Sequence, residues 1–205
     1  MKINIVHLFP TTIYSTEYQD SMEEEKKFIN NLEYDQSGDW SGNKKSKDTY
    51  VLNKPELSRI NAFIKGRLKD FLENGMKVKN ELVITQSWVN QSEKGTKHTE
   101  HHHPNSMISG VFYFTKTEDT PIVFLKRDNW GIAFDFDTIS KENARSAVFK
   151  ATPGALIMFP SSLNHAVPMN MSDDIRISLS FNTFARNFLG DEKNLTYVQL
   201  NNSDA

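Results

Sequence analysis

A mainly β fold, an antiparallel jelly roll (double-stranded β-helix) with N-terminal α-helices packed on one of its sheets, is what this 205-residue chain predicts. Three observations predict it. After Gly75 the apolar residues fall into eight short runs of period two, separated by Gly, Pro, Asn and Asp. Before Gly75 one long segment repeats its apolar residues at spacings of three and four, the mark of an amphipathic helix. Between the strand-like runs there is no helical pattern, so alternating βαβ units are excluded.

Taken in order, MKINIVHLFPTTIYS carries Ile3, Ile5, Ile13 and Tyr14 around Pro10 and reads as one or two short opening strands. Ser21 and Glu24 have capping-box spacing, and Met22, Phe28, Ile29 and Leu32 give the next segment a partial helical stripe. Asp35 to Ser46 is rich in turn formers and charge, with Trp40 as its anchor, and reads as a loop. A second helix begins at Asn53-Lys54-Pro55, carries Leu57, Ile60, Phe63, Ile64, Leu68, Phe71 and Leu72, and ends at Asn74-Gly75. The strand candidates that follow are ELVITQSWVN, SGVFYF, PIVFLK, WGIAFDF, AVFKA, GALIMFP, HAVPM and IRISLSFNTF. The whole chain, 1–205, reads as one domain, with a helical part over about 1–78 and the jelly-roll core over about 80–188.

A hydrophobic fraction of 38%, a charged fraction of 24% and 14 Phe describe a globular protein with an aromatic core. The net charge of -2 supplies no basic field for nucleic-acid phosphates or a membrane surface. With no cysteine, disulfides and thiolate chemistry are excluded, and any metal must be held by His, Asp, Glu or water. No eighteen-residue apolar run and no signal-peptide layout is present, so a cytoplasmic location is expected.

Four of the six histidines lie in KHTEHHHPNS, directly before a strand candidate. In an extended segment His101 and His103 project to one side and His102 to the other, so the first two can chelate one ion. A third ligand must come from His7, His98 or His165, and His165 lies between two strand candidates, where an antiparallel strand returns to the same end. The other reading, a surface histidine run without function, stays open at this point.

In IRISLSFN the alternation puts Arg176, Ser178 and Ser180 on one face and Ile175, Ile177, Leu179 and Phe181 on the other. A buried arginine needs an anionic partner, and a guanidinium with a serine hydroxyl two residues on suits a carboxylate. A solvated edge strand would also explain the pattern.

With these features in order, the chain resembles the Fe(II)- and 2-oxoglutarate-dependent oxygenases, most of all their small bacterial and phage branch. The resemblance rests on Trp88-Val89-Asn90, His101-His102-His103-Pro104, Ser109-Gly110-Val111-Phe112-Tyr113, Phe159-Pro160-Ser161, His165, Arg176-Ile177-Ser178 and Phe181-Asn182. It implies that His101, His103 and His165 hold Fe(II) as the catalytic metal site. It also implies that Arg176 and Ser178 bind the distal carboxylate of 2-oxoglutarate as co-substrate, with Tyr113 a further pocket residue. Dioxygen and a small-molecule or peptide substrate are the implied partners, and hydroxylated substrate, succinate and carbon dioxide the products. The location implied is the bacterial cytoplasm, or that of the host for a phage protein. His-x-His departs from the His-x-Asp or His-x-Glu usual in the superfamily and leaves the site one negative charge poorer. Asn105 in a shifted register, or Glu100 from a bulged backbone, are alternative donors.

Two other functions compete: a cupin-like three-histidine metalloprotein without 2-oxoglutarate, and a non-catalytic jelly-roll binding protein. A homodimer is a further expectation, since exposed sheet edges invite pairing. Loops 35–46 and 126–143 are expected to close over the pocket.

Overall fold

The computed structural model describes residues 2–4, 6, 9–36, 41–118, 120–127 and 135–200. His7, Trp40 and most of the strand candidate WGIAFDF lie outside the described residues. The strands, in chain order, are β1 (Tyr14–Glu17), β2 (Tyr34–Gln36), β3 (Lys44–Ser46), β4 (Leu82–Ser92), β5 (His98–His101), β6 (Ile108–Tyr113) and β7 (Ile122–Leu125). They continue with β8 (Ser146–Phe149), β9 (Ala155–Pro160), β10 (His165–Val167), β11 (Arg176–Ala185), β12 (Phe188–Leu189) and β13 (Val198–Gln199). Seven form one antiparallel sheet in the order β1-β9-β6-β11-β4-β3-β2, and four form a second in the order β5-β10-β7-β8. The expected mainly β jelly roll is present, although the sheets do not close into a barrel.

Strand alternation divides the interior in two. Phe112, Leu156, Met158, Leu179, Phe181 and Val89 point from the large sheet toward the helices. Val111, Tyr113, Ile157 and Phe159 point from its other face toward Ile122 and Phe124 of the small sheet. The second face carries the cavity described below.

Helix α1 (Glu23–Asn30) and helix α2 (Ser58–Asp70) cover the first face. Helical turns at Pro55–Leu57 and Phe71–Met76 extend α2 to about the predicted span, with Leu57, Ile60, Ile64, Leu68 and Phe71 buried. It stops at Lys77, which adopts φ 57°, whereas Gly75 is small because a Cβ there would meet the Phe71 ring at 2.8 Å. The predicted capping box does not form: Met22 is the N-cap, without a side-chain bond. Arg59 holds this end instead, donating to the buried Glu25 carboxylate at 2.9 Å and to the Ser21 carbonyl at 3.0 Å.

Three segments differ from expectation. Within the span read as a loop, β2 and β3 pair Tyr34 with Ser46 and extend the large sheet past β4. The polar HTEH is a strand, β5, because its backbone pairs with β10 irrespective of side-chain polarity. The chain closes with the β12–β13 hairpin. The Thr152-Pro153-Gly154 turn sets β9 in register: Gly154 has φ 91°, and a Cβ there would lie 2.5 Å from the Tyr18 carbonyl oxygen. Among the described residues no helix is long and apolar enough to cross a membrane.

Candidate active site

At one end of the space between the sheets, β5 and β10 pair so that the Cα atoms of His101 and His165 are direct partners. His103 follows β5 in a turn whose backbone is fixed by its N–H donating to the Ser161 carbonyl at 2.9 Å. The three rings converge, with centroids 4.4 Å apart for His101 and His165 and 5.1 Å for each of the other two pairs. One nitrogen from each lies within 4.8 Å of the others, so this set could hold a metal ion. The Nδ1 atoms of His101 and His165 lie 2.8 and 2.9 Å from the carbonyls of Thr99 and Leu163. A carbonyl only accepts, which assigns the proton to Nδ1 and leaves Nε2 with a free lone pair in both rings. Nε2 of His103 is 3.3 Å from Nε2 of His165.

Burial, reinforced by the neighbouring imidazoles, pushes His103 down to about 3. Burial likewise takes His165 to about 4, against the opposing hydrogen bond to the Leu163 carbonyl. Both are therefore neutral near pH 7, the state a metal ligand requires. His102 is exposed, as strand parity predicts. Glu100 is not part of the group: its carboxylate pairs with Arg127 at 2.6 Å and accepts from Asn164 at 3.2 Å. Asn105 sits in an exposed turn with φ 57°.

At the other end lies Arg176, only 4% exposed, on a strand flanked by β6 and β4. The solvated-edge explanation is thereby removed. Its Nη1 donates to Ser178 Oγ at 3.1 Å, and its guanidinium carbon stands 5.4 Å from the ring centre of Tyr113. Tyr113 is fully buried and is the Cα partner of Ser178 across β6 and β11. Two polar atoms here, Arg176 Nε and Tyr113 Oη, are buried with no hydrogen-bond partner. Burial pushes the guanidinium pKa down and the phenol up, each opposed by the attraction between them. Among the described residues no carboxylate pairs with Arg176, so the end that can supply a positive charge has no anion.

A cavity of about 50 Å³ joins the two ends, walled by Trp88, Asn90, Val111, Phe159 and Ser180 among others. Trp88 stands at 6.0 Å from the His103 ring, and Phe159 packs edge-on to His165 at 4.9 Å. Asn90 of the Trp88-Val89-Asn90 segment lies in this wall and donates to Ser180 Oγ at 3.0 Å. His98 also lines the cavity, its ring 6.3 Å from that of His101. Its place in the wall follows from β5, which the polar composition of its segment concealed.

The arrangement fits the two groups expected of it. Three convergent imidazoles form a donor set for a borderline divalent metal such as iron, and a buried arginine beside a hydroxyl and an orphaned phenol is a seat for a carboxylate. A jelly roll that pairs such a histidine set with a buried arginine is the arrangement expected of a non-haem, 2-oxo-acid-dependent oxygenase. Residues 86–182 match the model of a family described as "Putative 2OG-Fe(II) oxygenase". That segment is similar to the 2OG-Fe(II) oxygenases, and by this likeness the protein is an oxidoreductase whose cofactors are Fe(II) and 2-oxoglutarate and whose partners include dioxygen. Solved structures share the fold. A 2OG-Fe(II) oxygenase family oxidoreductase from Burkholderia pseudomallei is 15% identical, with a TM-score of 0.58 over 83% of each chain. A prolyl-4-hydroxylase from Pseudomonas putida is 13% identical, with a TM-score of 0.59 over 86% of this chain and 94% of that one. The α-ketoglutarate-dependent epimerase SnoN of nogalamycin biosynthesis is 13% identical, with a TM-score of 0.62 over 84% of this chain and 78% of that one. No curated protein matches closely enough to count as a relative.

Proposed function

We propose that this protein is an Fe(II)/2-oxoglutarate-dependent dioxygenase that hydroxylates a small-molecule or peptide substrate, with His101, His103 and His165 as the metal ligands. Arg176, Ser178 and Tyr113 receive the distal carboxylate of the co-substrate. The observation that carries this reading is the pairing, in one cavity, of three convergent imidazoles with a buried arginine that has no anion. Bound between them, Fe(II), 2-oxoglutarate and dioxygen supply oxidation at a substrate carbon.

The protein's own part is positional. Neutral His103 and His165 offer lone pairs without first releasing a proton, and the Nδ1–H bonds to Thr99 and Leu163 fix two of the rings against rotation. Arg176 and Ser178 would hold the far carboxylate of the co-substrate. That carboxylate would give Tyr113 Oη and Arg176 Nε a hydrogen-bond partner. Phe159 and Val111 line the passage between the ends with apolar surface beside Asn90 and Ser180. Trp88, half-buried beside His103, stands where substrate approaches. An epimerase stands beside a hydroxylase among the similar folds, so the group presented at this mouth decides the outcome of the oxidation.

The test is a thermal melt of metal-stripped protein with Mn(II) alone, 2-oxoglutarate alone and both together. A ligand at a hundredfold excess over its Kd stabilises by about 2.7 kcal/mol. Stabilisation by 2-oxoglutarate that appears only with the metal is the expected result. Stabilisation by metal without any effect of 2-oxoglutarate overturns this reading in favour of a three-histidine protein of different chemistry.

A further inference from the structure

Four side chains and one backbone N–H, none of them bonded to the imidazole nitrogens or to Arg176, form one largely buried hydrogen-bonded chain. Ser109 Oγ donates to Asn182 Oδ1 at 2.8 Å and lies 2.8 Å from Ser161 Oγ. Ser161 Oγ is 2.7 Å from Ser106 Oγ, which accepts from the Thr183 N–H at 3.2 Å and whose alternative acceptor, the Ile108 carbonyl, is farther at 3.3 Å and already accepts from the Thr183 hydroxyl at 2.7 Å. Each hydroxyl has a single proton, and this decides the order. The proton of Ser109 is spent on Asn182, so the short contact between Ser109 and Ser161 requires Ser161 to donate to Ser109. The contact between Ser161 and Ser106 then requires Ser106 to donate to Ser161. The chain runs one way: Thr183 N–H, Ser106, Ser161, Ser109, Asn182. Hydrogen bonds aligned head to tail in a buried site polarise and strengthen one another.

This chain holds the segment that presents His103. The Ser161 carbonyl accepts the His103 N–H at 2.9 Å, and the Ser161 N–H donates to the Met107 carbonyl at 3.0 Å. Thr183 grips the same segment from β11: its carbonyl accepts the Met107 N–H at 2.9 Å, and its hydroxyl bonds both backbone groups of Ile108, at 3.1 and 2.7 Å. The turn from His103 to Ile108 is thus tied at both ends to Ser161 and Thr183, across 54 to 77 residues of sequence. Ser161, Ser109 and Thr183 are almost fully buried, at 0, 1 and 0% exposure, so water cannot replace a lost partner.

We infer that Ser161 and Thr183 are positioning residues for the metal: through this chain of hydroxyls they hold the backbone of His103 where its imidazole completes the set made by His101 and His165. The inference rests on the assignment of those three histidines as ligands. His101 and His165 face each other across paired strands, whereas His103 has no strand partner, and the hydroxyl chain supplies what strand pairing supplies to the other two.

The experiment measures Mn(II) affinity of the full-length protein by the EPR signal of free aquo-Mn(II), at a temperature where every variant is folded. Ser161→Ala removes the central hydroxyl, Thr183→Val removes the grip on Ile108 at constant shape, and Thr183→Ser restores it. Losing an outer partner of a metal ligand typically costs 10- to 100-fold in metal affinity. Ser161→Ala and Thr183→Val are expected to raise the Mn(II) Kd by about tenfold or more and to broaden the bound spectrum, and Thr183→Ser to return both toward wild type. An unchanged Kd and spectrum, with only a lower melting temperature, overturns the inference and leaves the network a packing feature. His165→Ala separates the two levels: if it retains Mn(II), the ligand assignment has failed; if it loses Mn(II) while Ser161→Ala binds normally, only the positioning role has failed. Should Ser161→Ala not fold, the Thr183→Val and Thr183→Ser pair decides the matter.

Discussion

The two ends of the cavity suit partners of opposite charge. The histidine end gathers three imidazoles whose nitrogens could hold a metal ion, and the arginine end buries a guanidinium with which, among the described residues, no carboxylate pairs. They are also built differently. The histidine end is assembled from paired backbones of two short strands and a turn, and two of its three rings are only partly covered. The arginine end needs only the alternation of β11, and both Arg176 and Tyr113 are sealed from solvent. The difference teaches that neither end is a stabilising device. Burying polar groups without partners costs free energy, and a molecule carrying a metal at one end and a carboxylate at the other repairs both deficits together.

The sharpest way to break the comparison is to abolish one end. His165→Ala removes the buried imidazole that is within reach of both others, and it is expected to eliminate stabilisation by Mn(II) and, with it, any effect of 2-oxoglutarate. Succinate formation should fall to background. Retained metal-dependent stabilisation would show that the three rings do not act as one site.

Altering the opposite end should separate binding from stability. Arg176→Met replaces a buried, unpaired charge with an apolar chain of similar length, so the ligand-free protein should gain about 1 kcal/mol or more against urea. The same variant should bind 2-oxoglutarate about 100-fold more weakly, since charged hydrogen bonds are worth ~1.5–3 kcal/mol each. Mn(II) affinity should be unchanged. A loss of stability in the ligand-free protein would mean that Arg176 is already satisfied by a partner inside the fold.

How much of these two ends could be read in advance follows from their construction. His101, His103 and His165 were legible because few residue types bind metals, and strand parity separated His102 from its neighbours. Arg176 and Ser178 were legible because period two is written in the sequence. β5 was not, since HTEH has no apolar face and becomes a strand only through its pairing with β10. The β2–β3 hairpin was hidden for the same reason. The capping box at Ser21 did not form because α1 starts one residue later, with Met22 as its N-cap, and the tie of Arg59 to the Ser21 carbonyl, 38 residues away, has no local signal. Ser161 and Thr183 carry no local signal at all, because their partners are distant in sequence.

Acid should weaken the histidine end selectively. The folded values of about 3 for His103 and about 4 for His165 lie below the ordinary 6.5, so the unfolded chain takes up protons first as pH falls. The stability these two groups contribute is complete above about pH 6.5 and is lost progressively as pH drops through about 4. Urea midpoints of the metal-free protein at pH 7, 6 and 5 should therefore decline, and His165→Asn should flatten the decline. An equal slope in that variant would place the acid sensitivity elsewhere.

A change that leaves both ends intact tests the wall between the cavity and the helices. Gly110 packs its bare Cα against Phe181, and an added Cβ would lie 2.2 Å from the ring. Overpacking of this kind costs about 1–3 kcal/mol. Gly110→Ala should lower the unfolding free energy measured in urea by that amount, and a Phe181→Leu partner substitution should recover part of the loss.

The smallest effect distinguishes the phenol from the guanidinium beside it. Tyr113→Phe deletes one buried oxygen that has no partner and keeps the ring over which Arg176 lies. In the ligand-free protein the deletion removes a desolvated hydroxyl without breaking any hydrogen bond, so stability should be equal or slightly higher. With Mn(II) and 2-oxoglutarate present the sign should reverse, because a single hydrogen bond worth about 1 kcal/mol is then absent, raising the 2-oxoglutarate Kd about fivefold. Arg176 alone would account for carboxylate binding if the Kd did not move. A drop in ligand-free stability would instead mean that Tyr113 Oη holds a water the fold depends on. The crossing of the two effects, gain without ligand and loss with it, is what a pocket residue produces and a packing residue does not.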